Sequence, residues 1–447
     1  MLRRSAISWV VVCLALSAGA RTRPHYGGTL RVETQGDPWQ MPDGLARKLV
    51  LDSLTSLDDA GSAQPALAVH WAAENNAHRW DFALRTGVRF SDGTPLTADA
   101  AVSALEQDCG HSAVACPWNA LHAVGSEIIL TTDSAMPDLP ELLAESEFAI
   151  ARPGDGGVVE GTGPFRVVGF ANGALTLAAN DDCWQGRPFL DAIEIYPHRT
   201  ISDQWLDLSV GKADVVEVPP EMLHAAQQQR LSVLVSRPVD LLALALTPQG
   251  PLAEQTMRQS IALAVDRASL SNVIFQKQGE ISASLLPASL SGYSFLFSAE
   301  RDLDRAHTLR GGANVPPLAL AVDEPGPSLQ LAASRLALNL HEAGLNAFVV
   351  AGSQQPALLA LRRVHLEEAS PRAALDEMLA RFGQNSTVSG SDSASLYQSE
   401  GAFLAKATVV PLLWLPRAWA SGERVRDLRL APDGLPMLAN ASLEGAQ

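Results

Sequence analysis

The stretch RWDFALRTGVRFSDGTPLTADAAVSALE, Arg79 to Glu106, decides what kind of fold this chain has. Trp80, Phe82 and Leu84 alternate with Asp81, Ala83 and Arg85, the period of a strand buried on one face. After a turn at Gly87, Val88 and Phe90 resume the apolar pattern, and SDGTPLTADA reads as a loop. Thr97 is placed to cap a helix over 98–107, where Ala101, Val102 and Leu105 share a face. No residue in the stretch forms a catalytic pair, so its definite pattern specifies geometry rather than chemistry.

Working outward, strand and helix patterns alternate along the whole chain. GGTLRVE opens as a strand, and GTGPFRVVGFANGALTLAAN is a strand pair turning at Asn172-Gly173. VDLLALAL, between Pro238 and Pro248, has the continuous apolar character of a buried strand, as does TVVPLLWL near the end. The stretch from Glu254 to Phe275 reads as helical, with Met257, Ile261, Ala264 and Val265 on one face. A longer helix follows, with Leu329, Ala332, Ala333, Leu336, Leu340 and Ala343 at helical spacing and Gly344 as its stop. Ser370-Pro371 opens another helix, and STVSGSDSAS reads as a polar loop. Alternation without repeats or low-complexity linkers predicts an α/β fold.

The chain has 447 residues, 47% of them hydrophobic, enough for two or three domains. Its formal charge is −16, which disfavours nucleic acid and anionic membranes as partners. The first twenty residues differ from the rest. Arg3 and Arg4 precede the apolar run ISWVVVCLAL and then SAGA, the order of a cleavable export signal over 1–20. No other apolar run approaches membrane-spanning length, so an exported, soluble chain of charge about −18 is expected.

Beyond Cys13, the cysteines are Cys109, Cys116 and Cys183. In an oxidising compartment Cys109 and Cys116 are candidates for a disulfide around GHSAVA. The alternative, a metal site with His111, lacks a fourth ligand and the usual spacing, so no metal and no cofactor are expected. There is no G-x-S-x-G, H-E-x-x-H, P-loop or complete G-x-G-x-x-G. That absence fits a binding protein better than an enzyme.

Several stretches, taken together and in order, resemble the extracellular solute-binding proteins of family 5, the oligopeptide and dipeptide receptors of ABC importers. They are YGGTLRVE, SLTSLDDAGSAQPALAVHWAA, WDFALRTGVRFSDGTPLTADAAVSALE, GTGPFRVVGF, NDDCWQGRPFLDAIEI, SVGKADVVE, MRQSIALAVDRASL and VVPLLWLPRAWASGERVRDLRL. They cover most of the chain from 26 to 295 and about the last forty residues. The resemblance implies two α/β lobes closing like a hinge on a ligand, with an extra subdomain in the first (a type II periplasmic binding protein). It places the first lobe at 21–238, with the subdomain at about 38–159. The second lobe is 239–410, and 411–447 returns to the first.

The resemblance also implies a function: a periplasmic monomer that captures a peptide or similar small polar solute and delivers it to an inner-membrane ABC permease. Gly161, Thr162, Gly163, Pro164 and Phe165 match a family loop near the cleft, with a purely structural strand entry as the alternative. Trp39 is a candidate aromatic platform or a packing residue. LLALRRVHLEEASPRAALDEML stands where the family carries a segment with aspartate and tryptophan. There Glu367 and Glu368 are candidates to anchor a ligand amine, or simply a charged turn before a helix. Cys183 before Trp184 replaces a tyrosine of the family pattern. Two other classes stay open: a receptor-like chain with a non-transport interaction role, and an exported hydrolase.

Overall fold

The computed structural model describes residues 26–444 apart from 41–43, 59–60, 110–115, 117, 155–157, 324–325, 351–356, 368–369, 385–387, 389 and 391. The proposed export signal and Glu368 therefore lie outside the described residues, as does the side chain of Cys109.

The stretch 79–106 folds as its pattern predicts. In the strand Arg79–Leu84, Trp80, Phe82 and Leu84 are buried, and the residues between them are only partly so. The strand sits in a four-stranded antiparallel sheet with Ala68–Glu74, Glu127–Thr131 and Ala120–Val124. Gly87 and Gly93 take positive φ values of 80° and 85°, open to glycine at little cost. The Thr97 hydroxyl accepts from Ala100 N at 3.2 Å and starts the helix Ala98–Cys109. Ala101 and Leu105 of that helix close a core with Phe82, Ile128 and Leu130.

The rest is organised on one mixed sheet of eleven strands among the described residues. On one side lie Phe165–Ala171, Ala174–Ala179, Ala192–Tyr196, Thr29–Glu33 and Val215–Glu217. Leu30, Leu177, Ile193 and Val215 give this first lobe its core. On the other side lie Leu359–His365, Leu318–Val322 and Ala347–Val350, the second lobe. Asn172 and Gly173 turn the first hairpin with φ of 54° and 80°, the geometry of a tight primed turn.

Two long strands, Ser232–Leu246 and Val409–Ser421, join the lobes and pair antiparallel. In the second lobe their side chains alternate between two cores. Leu242 and Leu244 face Ile261, Leu320 and Leu336, while Leu241 and Ala243 face Leu375, Phe403 and Trp414. Burial on both faces explains why VDLLALAL shows no polar alternation. Between the lobes the register shifts, and Pro238 stands opposite Pro416. Neither proline has an N–H to give, so the ladder is weakest where the chain crosses.

The stretch 254–275 is helical in pieces: Gln255–Ala264 ends, and Asp266 caps a new turn by accepting from Ser269 N at 2.9 Å. The last three residues of STVSGSDSAS open the helix Ser393–Leu404, which Asp392 caps. No helix among the described residues is long and apolar enough to cross a membrane.

Candidate functional site

The site follows from where the two lobes meet. A small pocket lies beside the crossing strands, walled by Arg237, Pro287, Ser289, Glu367 and Asp433 among others. Glu367 comes from the end of the strand Leu359–His365, and Asp433 from the C-terminal segment. A glutamate and an aspartate far apart in sequence are thus brought to one small space.

Each of these carboxylates has a basic partner. Glu367 accepts from Arg381 Nη2 at 2.9 Å, and its backbone N–H donates to Glu377 Oε2 at 3.2 Å. Lys48, near the end of the helix Leu45–Val50, pairs with Asp433. Burial opposes the Asp433 charge, but Lys48 outweighs it and holds the carboxyl down to about 2. Lys48 keeps 33% of its side-chain surface open, although Asp433, Glu145 and Glu367 all raise its pKa against the cost of burial. Glu145 is the reverse case. Burial pushes its pKa well up against the opposing charge of Lys48, and Glu367 and Glu377 add to the rise. Its Oε1 is buried with no hydrogen-bond partner among the described residues.

Behind the pocket, Asp240 joins the crossing strands to the second lobe. It lies opposite His365 in register, and its Oδ1 is 2.6 Å from His365 Nδ1. Arg417 Nε donates to it at 3.1 Å, and Arg363 Nε stands at 3.8 Å. Burial works against this charge, but Arg417, His365 and Arg363 together keep the carboxyl well below the usual carboxylate range. A second, wider pocket opens on this cluster, bounded by Gln35, Glu217, Asp240, Arg363 and Arg417. Sequence reasoning missed Asp240, Arg417, Lys48 and Asp433. The available signal was a lone charge inside an apolar strand run, as in VDLLALAL and PLLWLPRAWAS.

The predicted residues fall into two groups. Glu367 lines the pocket. Gly161 to Phe165 are buried beneath the four-stranded unit and outside the pocket wall. A Cβ on Gly161 would sit 2.0 Å from the Val50 carbonyl oxygen, and one on Gly163 would sit 2.7 Å from that of Leu49. Both glycines therefore let two backbones touch. The Thr162 hydroxyl donates to Asp52 Oδ2 at 2.7 Å, and Trp184 Nε1 donates to the same oxygen at 2.8 Å. Phe165 is fully buried in the first-lobe core, and Trp39 packs against that core. Cys116 is disulfide-bonded, and Cys183 is a buried free thiol. Among the described residues no group of three His, Cys, Asp or Glu is arranged to hold a metal ion.

The family model "Bacterial extracellular solute-binding proteins, family 5 Middle" matches residues 62–318, more than half of the chain. The chain belongs to this family. The family 5 solute-binding proteins are binding proteins, extracellular or periplasmic, and the two-lobed fold described above is theirs. The chain is 29% identical over 247 residues to the uncharacterized protein YhjP of Bacillus subtilis, a match spanning 52% of this chain and 40% of that one. It is 25% identical over 235 residues to the nickel-binding protein NikA of Staphylococcus aureus, spanning 50% and 48%. The match thus spans about half the length, or less, of these curated relatives. In three dimensions it superposes on the ABC transporter-associated periplasmic binding protein DppA of Helicobacter pylori, solved with the peptide STSA, at a TM-score of 0.79. That likeness covers 94% of this chain and 99% of DppA at 16% identity, and it concerns the fold.

Proposed function

We propose that this family 5 protein is a periplasmic receptor that holds a small polar solute between its lobes and hands it to an inner-membrane ABC permease. The observation that carries this reading is the charged pocket at the lobe junction, lined by Glu367 and Asp433 from separate elements, with Lys48 paired to Asp433. Carboxylates beside a part-exposed ammonium suit a zwitterion, and a peptide or amino-acid-like solute is the class favoured. The peptide bound by DppA supports that choice, and the nickel named for NikA sets the main competing class. The lobe limits given above, the export signal over 1–20 and a monomeric state belong to the same proposal.

A thermal-shift screen of the chain from residue 21, against short-peptide, amino-acid and nickel-chelate pools, tests it. A ligand present at a hundred times its dissociation constant adds about 2.7 kcal/mol to folding stability. A midpoint rise with one pool, lost in Glu367→Gln, is the expected result. No rise with any pool, in a protein that melts cooperatively, would reject the receptor reading. It would favour the receptor-like chain with a non-transport role. One observation speaks for that second reading: the enclosed space at this pocket has room for about one water molecule, far less than an ordinary ligand pocket.

A further inference from the structure

The helix Pro371–Arg381 begins with residues that ordinarily cap themselves. Serine before proline offers its hydroxyl to the free N–H groups of the first turn. Here Ser370 makes no such bond. Its hydroxyl donates instead to Asp138 Oδ2 at 3.2 Å, 232 positions earlier in the chain. Asp138 precedes the short helix Leu139–Leu142 of the four-stranded unit, so the bond crosses the cleft. Arg372 follows it across: its Nη1 lies 3.7 Å from Asp138 Oδ1 and 3.5 Å from the Ala135 carbonyl oxygen.

We propose that Asp138, Ser370 and Arg372 form a clasp that holds the four-stranded unit against the second lobe and keeps the cleft shut. Two features support it. The Arg372 and Asp138 side chains are only 14% and 18% exposed, so water screens the pair less than it would a surface ion pair. Asp138 also sits at the positive end of the 371–381 helix, which favours a carboxylate there.

The rest of the helix runs along the same rim. Glu377 bears on Glu145, and Arg381 on Glu147. On another part of the junction, Ser328 pairs with Glu221, and Gln278 Nε2 lies 3.0 Å from His224 Nε2. These contacts brace the closed form, and the clasp adds an ion pair between the four-stranded unit and a helix start.

The clasp is tested without any ligand, so the result does not depend on the receptor reading. Spin labels at Ala72→Cys and Leu338→Cys, both at exposed positions, in a Cys183→Ala background report the distance across the cleft by pulsed electron resonance. The clasp predicts a short-distance population in the otherwise unmodified chain. Asp138→Ala should reduce it roughly three-fold, as expected for a shielded pair. Arg372→Ala, changed on the opposite side, should move it the same way, with the melting transition of each variant confirming that it is folded. Identical distance distributions in the parent, Asp138→Ala and Arg372→Ala proteins would overturn the proposal.

Discussion

Asp240 is the residue on which three strands converge. It sits on one crossing strand, Arg417 on the other, and His365 and Arg363 on the strand Leu359–His365. Replacing it with asparagine removes the buried negative charge that these basic groups share. Asp240→Asn should therefore cost about 3–5 kcal/mol, read from chemical denaturation. Gly161→Ala should cost about 3 kcal/mol for a different reason, because its new Cβ meets the Val50 backbone rather than a movable side chain. Glu33 gives a pH prediction. Burial raises its carboxyl to about 7 against the opposing charge of Arg199. Between the unfolded value and 7 the folded state binds more protons, so stability falls as pH rises through that window. Glu33→Gln should flatten this fall and raise the melting temperature more at pH 8 than at pH 5. The structural role of Gly161 was legible as an alternative, but those of Asp240 and Glu33 were not. Asp240 meets partners 125 and 177 positions away, and no local spacing announces such a pairing.

At the scale of elements, reading succeeded where periodicity and capping agree. The strand Arg79–Leu84, the helix Ala98–Cys109 and the helix Pro327–Glu342 all carry a clear face, and each forms where expected. Thr97→Ala removes the cap of the second and should cost about 1 kcal/mol in a thermal melt. The helix Ser393–Leu404 was missed because serines and Gly401 have the composition of a loop. Its formation rests on Leu396 and Phe403 entering the second-lobe core, and tertiary burial outweighs weak propensity. The buried Glu400 on the same helix accepts from Leu285 N and from the Ser284 hydroxyl, fixing the segment that leads to the pocket residue Pro287. Ser370 was identified as a helix start, but its hydroxyl serves the clasp instead, a contact only the assembled fold supplies.

At the scale of the whole molecule, order along the chain carried the fold and the family, while the pocket stayed hidden. Glu367 alone was picked out in advance. Its companions Lys48 and Asp433 look like ordinary surface charges until the C-terminal segment closes over the first lobe. There Arg424 Nε donates to Asp214 Oδ1 at 2.7 Å and Trp419 Nε1 to the Gly434 carbonyl at 3.0 Å, fixing the segment that carries Asp433. Native mass spectrometry of the chain from residue 21, mixed with the peptide and amino-acid pools, shows whether a small polar solute is held at this junction. A single bound solute per chain is expected, absent from a folded Glu367→Gln, Asp433→Asn double variant. No bound solute from any pool, or one that the double variant retains, would rule the receptor site out.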